Sequence, residues 1–357
     1  MRRLSLALLA VLLVSSAPAA RQLPPQKPPS QVPPESEATT GLRLTFVDVE
    51  GGAATLIVTP AGESILIDSG NPGARDSGRM AEAAKAVGIT EITHYVTTHW
   101  HSDHVGGIWP LSKVLPVKNV YGHRPPEPLS SDISQDLMTA WKGLSATPVF
   151  LEAGDSIKLK GSRGTPTPRL RVLAANGRVE GEKADAPVTF TCTRGHESQP
   201  EDPTDNARSL VLQLSYGQFD LLAGGDLTWN VEHKLVCPRR IVQPVDVFLV
   251  NHHGLDVSNN PLLVEALAPE AAIVNNGPRK GGEPRTMALL VKQLRDVGVF
   301  QLHRNVRSGA VNVESARIAN SDEACTGNPI LLRVEPDGHR FVVSIPARHT
   351  DRVFSAK

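Results

Sequence analysis

Residues 99–104 read His-Trp-His-Ser-Asp-His and directly follow the segment 92–98, Ile-Thr-His-Tyr-Val-Thr-Thr. The segment before the histidines is rich in β-branched and aromatic side chains, which predicts a strand near the middle of a sheet. Ligands of α/β proteins usually bind beyond the carboxyl ends of strands. The sequence therefore predicts a binding site at residues 99–104.

The side chains of this segment are of the types that bind metal ions. His99 and His101, two residues apart, can hold one cation, while Asp103 and His104 can hold a second cation beside it. Imidazole and carboxylate donors without a thiolate suit zinc, iron or manganese. The alternative is a chance cluster in a solvated loop, but the chain has only 12 histidines among 357 residues.

Strand-like and helix-like segments share the rest of the chain. Strands are predicted where apolar and polar residues alternate or where short apolar runs end in turns, and helices where helix formers follow a cap. The predicted strands are residues 42–49, 54–59, 64–68, 92–98, 170–173, 209–216, 219–223, 245–250, 272–275 and 342–345, and the predicted helices are residues 76–87, 131–143, 259–268 and 284–297. Hairpins mixed with strand–helix alternation indicate an α/β protein whose sheets are covered by helices.

The composition excludes several classes of protein. Forty per cent apolar and 21% charged residues are ordinary for a globular chain, which excludes collagen, coiled coil and wholesale disorder. The 37 basic and 37 acidic residues balance, which argues against a protein that wraps nucleic acid. Three cysteines without a Cys-x-x-Cys pair are too few for a disulfide scaffold or a thiolate zinc ribbon.

The first 40 residues read as an export signal and a spacer. Residues 1–19 combine Arg2 and Arg3 with an apolar run and small residues at a cleavage position, which predicts a signal peptide. The Pro-rich residues 20–40 predict a stiff linker, and residues 41–357 one domain. The mature protein is expected to be periplasmic or secreted, without a membrane anchor. In such a compartment one disulfide is expected, and the sequence leaves its pairing among Cys192, Cys237 and Cys325 open.

Together with three later segments, the HxHxDH pattern of residues 99–104 resembles the metallo-β-lactamase-fold hydrolases. The later segments are residues 65–70 (ILIDSG), 223–226 (AGGD) and 251–254 (NHHG). The resemblance covers residues 44–320 and implies a four-layer αββα sandwich. Within the family the chain is most similar to the competence-protein, or DNA-uptake, type, through residues 206–226 (NARSLVLQLSYGQFDLLAGGD) and the double histidine.

The resemblance implies a dinuclear centre, with zinc as the expected metal and iron or manganese as alternatives. It assigns the ligands ion by ion, with His99 and His101 on the first ion, Asp103 and His104 on the second, and Asp226 as the bridge. One histidine of the pair His252/His253 completes the second ion. Adjacent residues of an extended chain face opposite ways, so only one imidazole is expected to bind, and we favour His253. The two aspartates are also the expected catalytic residues.

One position departs from the family's pattern. Many members supply a third histidine to the first ion between the HxHxDH motif and the bridging aspartate. The candidates here, His123 and His196, do not lie in the expected context, and Asn206 stands at the equivalent place, as in the competence type. The first ion is therefore expected to bind more weakly.

Other polar residues near the motifs have two interpretations each. Asp68 is expected either to orient a metal-binding histidine or to cap the turn that follows it. In residues 275–282 (NNGPRKGG), glycine amides beside Arg279 and Lys280 form either an anion-binding loop or a plain turn before a helix.

The resemblance implies a hydrolase in which hydroxide held between two zinc ions attacks an ester, amide or phosphodiester. The expected substrate is a small molecule or a phosphodiester, because a neutral chain offers no obvious groove for nucleic acid. Two alternatives stay open. One is a binding module that keeps the fold without the chemistry. The other is an iron-dependent oxidoreductase, although oxygen-reducing members of the family carry glutamate where this chain has His101.

Overall fold

Two mixed sheets dominate the computed structural model, which describes residues 41–144, 147–182, 196–294 and 298–357. The first sheet contains, in spatial order, β18 (Thr350–Ser355), β17 (Arg340–Ile345), β16 (Ile330–Val334), β1 (Arg43–Phe46), β2 (Thr55–Val58), β3 (Ser64–Ile67), β4 (Ile92–Val96), β5 (Val117–Gly122) and β6 (Val149–Phe150). It is antiparallel from β18 to β3 and parallel from β3 to β6.

The second sheet is antiparallel at one end and parallel at the other. Its spatial order is β15 (Ile318–Asn320), β14 (Val299–His303), β13 (Ala271–Val274), β12 (Val247–Leu249), β11 (Phe219–Ala223), β10 (Val211–Tyr216), β8 (Arg169–Ala175) and β7 (Ser156–Ile157), with β9 (Arg178–Val179) paired to β8. The parallel part runs from β11 to β15.

Helices cover the outer face of each sheet. The helices are α1 (Ala74–Ala86), α2 (Ser102–Val105), α3 (Ile108–Ser112), α4 (Gln135–Lys142), α5 (Trp229–Lys234), α6 (Pro261–Leu267) and α7 (Pro284–Gln293). Residues of α1 to α4 pack on the first sheet, and residues of α5 to α7 pack on the second. None of the helices in the described ranges combines the length and apolar character that a membrane crossing requires.

The central core lies between the two sheets, because their strands alternate apolar residues toward both faces. In β3, Ile65 and Ile67 join side chains of the second sheet in this core, while Leu66 packs under the outer helices. Leu214 and Phe300 belong to the same core from the second sheet. Helices, sheet, sheet and helices thus form four layers, and the predicted αββα sandwich is confirmed.

The predicted elements differ from the observed ones mainly at their ends. The first strand stops at Phe46 because the chain turns at Glu50, whose φ is 54°. Helix α1 begins after Gly73 rather than with Asp76 or Ser77 as a cap, and the Asp76 carboxylate instead accepts the Asn71 N–H at 2.7 Å. The predicted signal peptide and linker, Cys192, and residues 295–297 of the last predicted helix lie outside the described residues.

Candidate metal centre

The ends of four strands meet where the two sheets approach each other. Asp68 follows β3, residues 97–104 follow β4, residues 224–226 follow β11, and residues 250–254 follow β12. Two glycines make the approach possible. A Cβ on Gly225, whose φ is 54°, would lie 2.7 Å from the Thr98 Cβ, and one on Gly224 would lie 2.4 Å from the Asn251 Oδ1. The Gly-Gly pair before Asp226 is therefore a packing requirement.

Four predicted ligands form a tight group, which we call the tight half of the centre. The ligand atoms of Asp103, His104, Asp226 and His253 all lie within 4.8 Å of one another. The His253 Nε2 is 3.2 Å from an oxygen of each aspartate, and the His104 Nε2 is 3.1 Å from the Asp226 Oδ1. The two imidazole nitrogens are only 3.2 Å apart, a separation that requires a proton or a cation between them.

Asp68 fixes the orientation of the tight half. Its Oδ2 lies 2.8 Å from the His104 Nδ1, so the His104 Nε2 faces the centre. The same carboxylate accepts the Thr98 N–H and hydroxyl at 2.7 Å each. The amides of Ser69 and Gly70 instead donate to carbonyl oxygens of His104 and Ala53. Asp68 thus has the orienting geometry rather than the turn-capping one.

His99 and His101 form an open half with longer distances. The His99 Nε2 is fully buried, 3.9 Å from the Asp226 Oδ2, and has no hydrogen-bond partner within the described ranges. The His101 Nε2 lies 2.9 Å from the Oδ2 of Asp132. Because Asp132 takes up this nitrogen, Nδ1 is the nitrogen that His101 can offer to a cation.

Both histidines of the double motif face Asp226, so the expectation of opposite orientations is wrong. His252 and His253 are not extended but left-handed, with φ of 53° and 55°. The His252 Nε2 lies 3.4 Å from the Asp226 Oδ2, and its Nδ1 lies 3.1 Å from the hydroxyl of Ser258. Left-handed residues other than glycine carry strain of about 1–3 kcal/mol each, and such strain concentrates at functional sites.

Proton affinities in the centre follow from its charges. Burial opposes a charge on His104, but the surrounding carboxylates, Asp226 first, raise its pKa well above the usual value. Burial likewise opposes ionisation of Asp226, yet the neighbouring histidines, His104 first, hold its pKa well below the usual value. Burial and the adjacent His104 lower the pKa of His99, which keeps its imidazole neutral and its lone pair available.

The donor set fits a pair of divalent cations. In the described part of the chain, the His99 Nε2 is a buried acceptor without a hydrogen bond, and the buried Asp226 Oδ1 meets the His104 Nε2 at 3.1 Å outside hydrogen-bond geometry. Such groups are costly to bury unless a cation or proton satisfies them. The donors are nitrogen and oxygen without sulfur, as zinc, iron and manganese sites in enzymes use.

Three of the predicted positions lie outside the ligand group. The two candidates for a third histidine are engaged elsewhere, because the His123 Nε2 lies 3.2 Å from Asp205 and His196 stacks on His233 with ring centroids 3.6 Å apart. Asn206 lies with His252 on the wall of a cavity of about 370 Å³. His252 thus connects this cavity to the metal centre.

Residues 275–282 include a turn in which two glycine amides are engaged by backbone carbonyl oxygens. The amides of Gly277 and Gly282 donate to the carbonyl oxygens of Lys280 and His253, both at 2.8 Å. Arg279 pairs with Glu323 at the surface. Lys280 alone reaches the centre, with its Nζ 2.5 Å from the Asp103 Oδ2. The loop thus brings one positive charge to the edge of the site.

Sequence patterns did not indicate three of the residues that support the centre. Asp132 holds His101, and Ser258 holds His252. The fully buried Glu232 accepts hydrogen bonds from the Asn251 side chain at 2.6 Å and from the amides of Asn259 and Asn260 at 2.8 and 2.7 Å. These bonds join the two ends of the loop that carries the double histidine. No motif marks these residues, and the partners of Asp132 and Glu232 are 31 and 19 residues away in sequence.

A comparison with protein families decides the relationship. The family model described as "Metallo-beta-lactamase superfamily" matches residues 47–274. The chain belongs to this superfamily. Competence protein ComA of Neisseria gonorrhoeae is 24% identical over 292 residues, which cover 80% of this chain and 35% of that protein. The resemblance to the competence type is thereby confirmed.

Other relatives match shorter parts of the chain. The atrochrysone carboxyl ACP thioesterase dmxR1 of Cryptosporiopsis sp. (strain 8999) is 30% identical over 105 residues, or 29% of this chain and 32% of that protein. The chain thus spans about a third of the length of these two relatives. Among solved structures, CmlA, a diiron beta-hydroxylase from Streptomyces venezuelae, has a TM-score of 0.39 at 16% identity over 72% of this chain and 52% of that one. MEM-A1, a subclass B3 metallo-beta-lactamase from a soil metagenome library, has a TM-score of 0.37 at 14% identity over 72% and 94%.

Proposed function

We propose that the chain is a hydrolase that binds two divalent cations, with zinc as the expected metal, and cleaves an ester, amide or phosphodiester bond. The observation that carries this proposal is the buried tight half beside the unpartnered His99 Nε2 of the described structure. Divalent cations at such a site lower the pKa of a coordinated water and polarise the carbonyl or phosphoryl oxygen of the substrate.

The chain's own residues have separate tasks in this proposal. Asp226 is placed to bridge, because one of its oxygens lies 3.1 Å from the His104 Nε2 and the other 3.4 Å from the His252 Nε2. Asp103 lies at the accessible edge, where it can orient the attacking water and accept its proton. Lys280, paired with Asp103, places a positive charge where negative charge develops on the substrate.

His252 is the residue we propose for the position left by the missing third histidine. It is nearly buried, its Nε2 faces Asp226, and Ser258 holds its other nitrogen. Hydrogen bonding of the second ring nitrogen is the usual support of a metal-binding histidine. With His99, His101 and Asp226 it supplies four donors to the first ion.

The cavity of about 370 Å³ beside His252 is the proposed substrate site. This volume suits a small molecule or one phosphodiester unit. Glu201, Asp202 and Asp256 are part of its wall. These acidic side chains disfavour a long nucleic acid, whose binding depends on basic contacts to phosphates.

Turnover of three chromogenic substrates tests the proposal. We expect zinc-loaded protein to hydrolyse at least one of bis(para-nitrophenyl) phosphate, para-nitrophenyl acetate and nitrocefin. Asp226→Asn should abolish this activity, whereas Asp220→Asn, on the strand that leads to Asp226 but away from the centre, should retain it. The hydrolase proposal fails if metal-loaded wild type cleaves none of the three classes. Oxygen consumption by iron-loaded protein would favour the oxidoreductase alternative, and metal binding without turnover a binding module.

We also propose that the protein is exported, to the periplasm or beyond. The signal-like residues 1–19 support this, as does the disulfide at Cys237, since disulfides persist in oxidising compartments. Fractionation of cells that express the full chain, with mass spectrometry of its amino terminus, tests the proposal. Uncleaved protein in the cytoplasm would contradict it.

A further inference from the structure

A second cluster of metal-binding side chains lies apart from the metal centre. It consists of Asp48, after β1, His303, at the end of β14, and Cys325, in the segment between β15 and β16. The Asp48 Oδ2 lies 3.0 Å from the His303 Nε2 and 3.2 Å from the Cys325 Sγ. The sulfur and the imidazole nitrogen are 3.3 Å apart. Three donor types from distant parts of the sequence thus meet at one point.

The cluster is deep but reachable. The side chains of Asp48 and His303 are fully buried, while Cys325 is partly exposed and carries a free thiol. A buried carboxylate and imidazole are costly unless their charges and lone pairs are matched. The partly exposed thiol leaves one side of the cluster open to solvent.

Four groups approach the Asp48 carboxylate, three of them at one oxygen. Its Oδ1 accepts the Glu50 N–H, while the Oδ2 is approached by His303, Cys325 and the Arg79 Nη1 at 3.1 Å. These four contacts take up the four or so lone-pair sites of the carboxylate, and three of them crowd one oxygen. A cation shared by the oxygen, the imidazole nitrogen and the sulfur uses one lone pair of each. The second lone pair of the oxygen then remains for Arg79.

The charges around the cluster leave room for a divalent cation. Asp48, Glu50 and Asp76 form ion pairs with Arg75 and Arg79, which leaves one negative charge unbalanced. A thiolate at position 325 raises this excess to two negative charges. A divalent cation with a neutral His303 neutralises the group.

We propose that Asp48, His303 and Cys325 form a separate mononuclear site for a divalent cation of the zinc type. Thiolate, imidazole and carboxylate are the donors that zinc takes in proteins. Glu50, with its Oε1 3.9 Å from the Cys325 Sγ, borders the open side of the site.

The site has a structural role in this proposal. It ties together the loop after β1, the end of β14 and the segment before β16. The loop after β1 also supports the metal centre, because the Ala53 N–H donates to the carbonyl oxygen of Asp103 at 3.1 Å. Without a cation Cys325 is an unreactive thiol, because burial and the neighbouring Asp48 raise its pKa to about 11. Metal binding at Cys325 therefore releases a proton.

Cobalt substitution of the full chain tests the proposal, because a thiolate ligand produces a charge-transfer absorption in the near ultraviolet. The assigned donors of the metal centre contain no sulfur, and Cys237 is in a disulfide. We expect the absorption in wild type, its loss in the isosteric Cys325→Ser variant and in His303→Gln, and its persistence in Asp226→Asn. Zinc content should fall by one ion per chain in Cys325→Ser.

Two results would overturn the second site. One is wild-type protein without the thiolate absorption, and the other is unchanged zinc content in Cys325→Ser. Either leaves Asp48, His303 and Cys325 as a hydrogen-bonded cluster without a metal ion. The result is independent of hydrolysis, because Asp226→Asn removes the proposed catalysis without touching this cluster. Wild-type cobalt protein alone decides the question even if a variant fails to fold.

Discussion

The two halves of the metal centre differ in how completely the chain assembles them. In the tight half, four ligand atoms lie within 4.8 Å of one another, and Asp68, only 2% exposed, holds His104. In the open half, the His99 Nε2 is 3.9 Å from Asp226, and His101 is held by Asp132, which is 26% exposed. Buried hydrogen bonds hold a side chain more firmly than solvated ones. The tight half is therefore preorganised, and we expect it to take up its ion first.

Asp226 belongs to both halves, so its replacement should have the largest effect. We expect Asp226→Asn to weaken binding of both ions and to lower turnover on the order of 10³-fold, the scale for losing a central electrostatic group. Zinc titration against a chromophoric chelator measures the first effect. Retention of two tight ions in the variant would show that the carboxylate does not join the halves. Asp220→Asn is the matched control.

Variants of the two adjacent histidines should affect different ions. His253→Ala should weaken the tighter ion by more than about 100-fold, because direct ligands contribute more than supporting groups, whose loss costs about 10–100-fold. His252→Ala should weaken the other ion by at least about 100-fold, as expected for a direct ligand, and leave the tighter one unchanged. The same titration distinguishes the two steps. An exchange of the two effects would mean that the histidines are assigned to the wrong ions.

Replacing the two carboxylates that orient ligand histidines should lower metal affinity less than replacing the ligands themselves. Asp68→Asn should weaken the tighter ion by about 10–100-fold, and Asp132→Asn should weaken the other ion by an amount at the lower end of that range. The difference follows from burial, since Asp132 competes with water for His101. Equal effects on both ions in either variant would contradict the separation into halves.

The smallest expected effect concerns stability near the double histidine. Burial raises the pKa of Glu232 from 4.5 to about 7, against the opposing hydrogen bonds from Asn251, Asn260 and Asn259. The folded chain then binds the proton more tightly than the unfolded one. The contribution of Glu232 to stability is therefore complete below pH 4.5 and is lost as the pH rises through about 7.

Denaturant titrations at several pH values measure this contribution as the difference between wild type and Glu232→Gln. The slope should not exceed about 1.4 kcal/mol per pH unit. A difference that does not change with pH between these limits would show that Glu232 has an ordinary pKa. Measuring apo and zinc-loaded protein separately keeps this effect apart from proton competition at the metal ligands.

The sequence predicted the centre well where the motif is local and poorly where the support is distant. Asp103 and His104 are neighbours, so their motif marks them, and the short apolar run in residues 64–68 predicted the strand that leads to Asp68. Asp132 and Glu232 lie in segments without a motif, and only packing brings them to His101 and Asn251. The orientation of His252 escaped prediction because it depends on a left-handed backbone that the local sequence does not announce.

The sequence by itself determined the α/β class, because periodic apolar patterns depend on neighbouring residues. Its short motifs, through their resemblance to a family, predicted the αββα sandwich and most of the proposed donors. The tertiary structure decided which side chains from distant parts of the sequence contact one another. It turned both His252 and His253 toward Asp226, engaged His123 and His196 elsewhere, and brought Asp48 to Cys325. These results depend on strand order and on the approach of two sheets. A single sequence does not specify such contacts, because the side chains that make them are separated by up to hundreds of residues.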